Sequence, residues 1–345
     1  MANLTDTHAS AGCIHYLDAF NCTGPTMSLP ALSASLAIIS FFVVATVLGN
    51  LLIMSTIAFF KQLQTSTNVL ALSLAITDFL IGLLIMPMAM TKEMFNCWFY
   101  GDVFCNVHFF VDYMLTNCSM LHLGSIALQR YVAVSDPMHY ATRMTNRSLA
   151  AIIGFCWLGS AVFSSPILLS LSSALSEQTV ARKSCADNCL FYVHMGIMFV
   201  VGYCPYFASL LVIVCVYAKI YMIARNQMRK IRSVAYKVEE TARQVIKREH
   251  NATKTLGVII FFFLLSWLPY YLIVLSSMAV KNTMSAYRVA LWAGYISSAF
   301  NPLLYAFFNL HFRNAFKMML SCKIFAPGAR HTDLNFLNKA TNDRN

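Results

Sequence analysis

The chain has 345 residues, of which 58% are hydrophobic and only 11% charged, with a formal net charge of +11. That composition, with a mean hydropathy of +0.61, lies outside the range of soluble globular domains and sets a membrane protein as the expectation. The positive balance does not point to nucleic acid: with the N-terminus outside, twenty of the 25 Lys and Arg fall on the cytoplasmic side, and only Lys92, Arg182, Lys183, Lys281 and Arg288 face out. Basic residues near span ends set orientation, so the charge is read as topology.

Residues 1–31 form an expected extracellular segment. Met1–Pro30 carries no Lys or Arg and no continuous apolar core, so it does not read as a cleaved signal peptide. Asn3-Leu4-Thr5 and Asn21-Cys22-Thr23 are acceptor sequons on that side, which makes Asn3 and Asn21 the expected glycosylation sites. Seven apolar segments follow within 32–309, each long enough to cross about 30 Å of hydrocarbon as a helix of roughly 20 residues. They run approximately over Leu32–Phe60, Thr67–Met90, Phe104–Val134, Ser148–Leu171, Leu190–Ile223, Thr253–Ala279 and Arg288–Phe308. The expected fold is an all-α membrane protein, a seven-transmembrane helix bundle with a short amphipathic eighth helix at 310–322 and a cytoplasmic tail at 323–345.

Three spans carry lone ionisable residues, which mark function by default because a charge at that depth is costly unless it meets a partner or a cavity. Asp78 in the second span has Ser119, Ser297, Ser298 and Asn301 as candidate companions. Together they can coordinate a hydrated monovalent cation such as sodium, with a proton relay as the other reading. Asp112 in the third span is spaced by four and three residues from Thr116 and Ser119, one helix face with the acid nearest the outer mouth. That pattern fits an ammonium site; a structural acid satisfied by a neighbour such as His108 is the plainer alternative. Trp267, Tyr270, Tyr271, Trp292 and Tyr295 can complete a cationic site with ring faces, although each alone reads as bundle packing. Arg130 lies eighteen residues, or five turns, below Asp112; its expected partner is Glu249 at the foot of the sixth span.

Pro269 and Pro302 each remove a backbone hydrogen bond and mark kinks at which a helix can pivot. Of the cysteines, six fall on the outer side in an oxidising compartment, so disulfides are expected there, with connectivity open. A bridge from Cys105 to the Cys185/Cys189 pair would pin the outer loop over the bundle mouth. Cys322, after the amphipathic stretch, is a candidate for palmitoylation or a plain exposed thiol. A transporter would show internal repeats and a membrane enzyme a nucleophile or metal cluster, but His108, His122 and His194 have no partners at ligand spacing.

Gly49-Asn50, Leu74-Ala75-Ile76-Thr77-Asp78, Arg130-Tyr131, Trp157, Trp267-Leu268-Pro269 and Asn301-Pro302-Leu303-Leu304-Tyr305 resemble, in order and location, the signature positions of rhodopsin-like G protein-coupled receptors. Asp112 matches the amine counter-ion of the aminergic branch, and Tyr295 the tyrosine that hydrogen-bonds it. Phe60-Lys61-Gln62-Leu63-Gln64-Thr65-Ser66-Thr67-Asn68, Cys97-Trp98-Phe99-Tyr100-Gly101 and Ala252-Thr253-Lys254-Thr255-Leu256-Gly257 are similar to stretches of the trace amine-associated receptors. The resemblance implies disulfides Cys105–Cys189 and Cys22–Cys185. It implies an amine pocket of Asp112, Tyr113, Thr116, Phe191, Val201, Trp267, Tyr270, Tyr271, Trp292 and Tyr295. For activation and coupling it implies Arg130, Tyr131, Tyr217, Glu249, Phe263, Pro269, Pro302 and Tyr305.

By the same resemblance the expected function is reception of a small trace or olfactory amine, relayed through a heterotrimeric G protein of the cAMP-raising type. The expected setting is the plasma membrane, including olfactory cilia, with arrestin, a receptor kinase and membrane lipid as further partners. A serotonin- or histamine-type receptor is the alternative, and a Cys22–Cys185 bond would discriminate.

Three departures qualify the likeness. Gln129 stands where the family has Asp before the Arg-Tyr pair, which removes a restraint on Arg130. Ser209 replaces the usual fifth-span proline, with Pro205 one turn earlier, so the helix bulge is expected to be displaced. The ending after Tyr305 lacks the family's Trp-Phe, which suits a divergent member, such as a lamprey-type receptor, as well as an ordinary one. The aligned fifth-span wall of Val201, Gly202 and Pro205 offers neither a catechol partner nor a second acid. A monoamine with an apolar or aromatic body is therefore expected, with Glu93, Asp102, Glu177 and Asp187 in outer loops left as partners for a distal ammonium.

Overall fold

The computed structural model describes residues 27–172, 199–233, 240–276 and 284–334, with side chains throughout except at 102, 137–138, 141, 169–172, 224, 227–233, 240–256, 284–285 and 308. Among these residues all regular structure is helical. The first span is Leu29–Phe59 and the second Ser66–Phe95, the latter containing a π turn at Ile81–Ile85 ahead of Pro87. The third span is Gly101–Ser135 and the fourth Asn146–Ser172, joined by a short helix, Pro137–Arg143. The fifth opens with a π turn at Phe199–Tyr203 and continues as Cys204–Ser233. The sixth and seventh are Glu240–Ser276 and Met284–Phe308, and a surface helix, Leu310–Leu320, follows.

Five of these helices are long and apolar enough to cross a membrane by length and composition. The helices at 101–135 and 284–308 fall outside that set, and their sequences explain it: they carry Asp112, Asn117, His122, Gln129 and Arg130, and Ser297, Ser298 and Asn301. A helix surrounded by helices can be polar where a lipid-facing one cannot. The first span shows the opposite balance, with Phe41, Val44 and Leu48 each more than half exposed on its outer surface.

Apolar side chains gain little by leaving lipid for protein, so association of spans rests on close packing and on hydrogen bonds worth roughly 0.6 to 2 kcal/mol each. Both are present. A Cβ at Gly49 would lie 2.8 Å from Pro302 Cγ, so the first and seventh spans meet there at a distance only glycine allows. Asn50, fully buried, donates to Thr46 O at 2.9 Å and across to Ser298 O at 3.1 Å. A second tie joins three helices: Trp157 Nε1 donates to Ser73 Oγ at 3.0 Å, and His122 Nε2 lies 2.8 Å from the same oxygen. Because Ser73 has one proton, it donates to His122 while accepting from Trp157, and His122 Nδ1–H then donates to Cys118 O at 2.8 Å.

The Asp136 side chain caps the connecting helix, accepting from the His139 backbone N–H at 3.4 Å, and meets His139 Nδ1 at 2.9 Å and Arg143 at 3.5 Å. The His139 hydrogen bond holds its carboxyl below the usual range. A depressed carboxyl stabilises above its ordinary titration range and loses that contribution as pH falls through it.

The surface helix starts at Asn309, whose side chain accepts from the His311 and Phe312 backbone N–H groups, and buries Phe312 against Tyr305 at a ring separation of 4.8 Å. Residues 323–334, expected only as tail, do more than trail away. They form two 3-10 turns, at Lys323–Phe325 and Ala329–His331, and fold back so that Leu334 is fully buried. Leu334 N donates to Gln62 Oε1 at 2.8 Å, Asn314 Nδ2 donates to Leu334 O at 2.7 Å, and Gln62 Nε2 reaches Asp333 at 3.3 Å.

Candidate functional site

The third span presents Asp112 on the bundle axis. Tyr295 of the seventh span donates its hydroxyl to Asp112 Oδ2 at 2.6 Å, while Oδ1 is buried with no hydrogen-bond partner. His108, the alternative partner, packs instead against Trp98 and Phe109 at ring separations of 5.3 and 5.8 Å. A buried carboxylate oxygen left without a donor is costly, and the space it faces is walled by aromatic rings.

Trp267 forms the floor, edge-on to Tyr270 at 5.6 Å and to Tyr295 at 5.9 Å, with Tyr271 at 6.3 Å. Tyr113 and Tyr270 hydroxyls approach to 3.5 Å, and Trp292 lies edge-on to Tyr295 at 5.7 Å. Thr116 Oγ1 and Trp267 Nε1 are also buried without partners. The fifth-span wall holds buried Val201 and Gly202; a Cβ at Gly202 would sit 3.6 Å from Tyr113 and 3.8 Å from Tyr271, so these rings close on bare backbone. Three residues missed from sequence complete the enclosure: Tyr206 stacks on Tyr271 at 4.1 Å, Tyr203 lies 5.8 Å from it, and Tyr287 lies 5.5 Å from Tyr270. The tyrosine pair at 203 and 206 was the available signal.

The displaced bulge of the fifth span takes the form of the π turn at Phe199–Tyr203, directly before Pro205. Pro205, four residues beyond Val201, has no N–H to offer its carbonyl, and Asn117 Nδ2 donates to Val201 O at 3.2 Å. Asn117 is thus a strut between the third and fifth spans.

One expectation is corrected at the mouth. Glu93 is engaged by Arg288 Nε at 2.9 Å, so it is not held ready for a distal ammonium; a guanidinium from the seventh span already neutralises it. Lys92, beside it, lies over the Phe109 ring at 5.2 Å. Phe191, Glu177, Asp187, Asn3, Asn21 and the cysteines Cys22, Cys185 and Cys189 lie outside the described residues, as does the Asp102 side chain. Cys97 and Cys105 are both disulfide-bonded, and Cys322 is an exposed free thiol.

Deeper in the bundle, Asp78 is fully buried and accepts from Ser298 Oγ at 2.8 Å and from Asn301 Nδ2 at 2.5 Å. The other two expected companions turn away: Ser119 pairs with Thr77 at 3.0 Å, and Ser297 donates to Gly294 O at 2.6 Å within its own helix. Among these contacts Asp78 meets two neutral donors and no countercharge.

At the Arg130 end, Tyr217 and Tyr305 hydroxyls are buried without partners and Phe263 is 2% exposed. Tyr131 is half-buried. Glu249 is helical and its side chain, with the expected Arg130–Glu249 pair, lies outside the described residues. Gln129 Nε2 donates to Tyr140 OH of the connecting helix at 3.0 Å. The amide therefore keeps a tie to that helix while supplying no charge beside Arg130.

Residues 49–305 match the family model described as "7 transmembrane receptor (rhodopsin family)". The chain is 37% identical over 330 residues to trace amine-associated receptor 365 of Petromyzon marinus, covering 95% of this chain and 90% of that receptor. It is 37% identical over 308 residues to trace amine-associated receptors 7b of Rattus norvegicus and 7f of Mus musculus, covering 86% of this chain and 85% of each. Seven helices, a buried acid at the mouth and these likenesses lead to one assignment: the chain is a multi-pass membrane receptor, not an enzyme, and belongs to the trace amine-associated branch of the rhodopsin family of seven-transmembrane receptors.

Proposed function

We propose that this receptor binds a small primary or tertiary monoamine with an apolar or aromatic body. The ammonium pairs with Asp112, and the signal passes to a heterotrimeric G protein that raises cAMP. The carrying observation is the unpartnered Asp112 Oδ1 inside an enclosure of tyrosine and tryptophan rings. A desolvated ammonium gains from the carboxylate and from the ring faces together. The Gly202 and Val201 wall offers no hydroxyl for a catechol, and Glu93 is engaged by Arg288, which argues against a diamine.

In this reading the N-terminus is extracellular, Cys105–Cys189 and Cys22–Cys185 hold the outer loops, Asn3 and Asn21 are glycosylated and Cys322 is palmitoylated. A sodium ion sits at Asp78 in the resting state. The Pro269 and Pro302 kinks let the sixth and seventh spans move, separating Arg130 from Glu249 and opening the cytoplasmic face to the G protein and then to receptor kinase and arrestin. Olfactory detection of amines is the proposed role. The test is a cAMP dose-response panel of mono-, di- and polyamines on surface-expressed receptor. A response confined to diamines would sink the monoamine reading.

Two predictions concern single hydrogen bonds. Tyr295→Phe removes the donor to Asp112; since hydrogen bonds to charged groups contribute about 1.5–3 kcal/mol, amine potency in the cAMP assay is expected to fall roughly ten-fold or more with surface expression unchanged. Gln129→Asp restores a charge beside Arg130, and basal cAMP is expected to drop below that of the parent. Unchanged basal activity would show that Arg130 is restrained elsewhere.

A further inference from the structure

Between the fifth and sixth spans lies a cavity of about 700 Å³, separate from the amine site and lined almost wholly by carbon. It runs from Tyr206 to Tyr221 on one side and from Gly257 to Leu268 on the other. At roughly 1.5 Å per residue its fifth-span edge extends about 22 Å, more than the roughly 15 Å depth of one leaflet. Its rim faces the bilayer: Val214, Tyr221, Phe261 and Leu265 are each more than half exposed. Its interior polar groups are few. Tyr206 donates its hydroxyl to Leu264 O at 2.8 Å, and Tyr217 turns its ring against Gly257, where a Cβ would come within 2.8 Å. Gly257 thus makes room for the tyrosine that floors the groove.

The groove ends at a basic mouth. Arg225 is exposed one turn beyond Tyr221, continuing the bilayer-facing edge marked by Val214 and Tyr221. An apolar channel of leaflet length with the Arg225 cation at its cytoplasmic end is complementary to an acyl chain carrying an anionic headgroup. A sterol would bring a neutral hydroxyl, for which the mouth offers charge rather than a matched partner.

We infer that this groove is a binding site for an anionic glycerophospholipid of the cytoplasmic leaflet, its acyl chain between the fifth and sixth spans and its headgroup at Arg225. The inference rests on the orientation proposed above, which epitope staining of the N-terminus on unpermeabilised cells reads separately.

The test uses full-length receptor in phosphatidylcholine nanodiscs containing a minor fraction of phosphatidylserine or phosphatidylcholine with a diazirine in the acyl chain, and maps the cross-linked peptides by mass spectrometry. Phosphatidylserine is expected to label 206–221 and 257–268 in preference to the exposed fourth-span surface at Phe155, Leu158 and Val162. One basic residue near an anionic headgroup corresponds to about a five-fold preference, so the excess over phosphatidylcholine should be of that order. Arg225→Gln should remove that excess while leaving acyl labelling in place. Val214→Trp, at an exposed rim position, should reduce labelling by both lipids. Equal labelling of the fourth span, equal labelling by the two headgroups, an unchanged excess in R225Q, or displacement by cholesterol but not by unlabelled phosphatidylserine would each overturn the assignment.

Discussion

Replacing Asp112 with alanine is expected to abolish amine-evoked cAMP while leaving the receptor at the cell surface. Truncating one member of a buried charge pair costs about 2–5 kcal/mol, which at roughly 1.4 kcal/mol per decade shifts potency by some thirty-fold to several thousand-fold. Asp112→Asn separates two contributions. It keeps a group that can accept from Tyr295 but removes the charge, so it should match the parent in surface yield and fall below it in potency. Oδ1 has no hydrogen-bond partner, so truncation removes only the Oδ2 bond from Tyr295. A full agonist response from Asp112→Ala at parental potency would place the amine elsewhere.

Gly294→Val is the second substitution with a large expected effect. A Cβ at Gly294 would lie 2.8 Å from two atoms of the Trp267 indole and 2.9 Å from a third. The indole cannot retreat easily, being edge-on to Tyr270 and Tyr295 and 4% exposed. Overpacking of this kind costs typically 1–3 kcal/mol, so the detergent-purified variant should denature at lower temperature and reach the surface in smaller amounts. Trp267→Phe in the same chain removes the colliding ring and should recover part of that loss. Equal deficits in the single and double variants would show that the clash is relieved by helix movement instead.

Much of the site was legible because the bilayer makes buried charge conspicuous. Asp78, Asp112 and Arg130 stand out in apolar runs, and the Asp112–Tyr295 bond joins residues that were both singled out from sequence. Helical spacing gave Thr116 the correct face but misled on Ser119, which shares that stripe yet pairs with Thr77. A repeat of three and four residues fixes direction around the axis, not which neighbouring helix is nearest. The π turn at 199–203 was less legible, because Pro205 and Ser209 say where a helix is perturbed but not how many residues the turn takes up. Glu93 was misread for a different reason: its partner, Arg288, lies on the seventh span, and nothing local announces the pair.

The fold-back of the C-terminal segment was the least legible feature, since its bond from Leu334 to Gln62 closes across 272 positions. It makes the connection between the first and second spans and the surface helix one latched unit. An effector that grips Gln62 or the Asn314 face competes with Leu334, and its apparent affinity is scaled by the fraction of receptors in which the latch stands open. Leu334→Asp, which cannot be buried there without cost, should raise that fraction. Coupling efficiency at this receptor is then set in part by the fourteen residues that run from the end of the surface helix to Leu334, well away from the amine site.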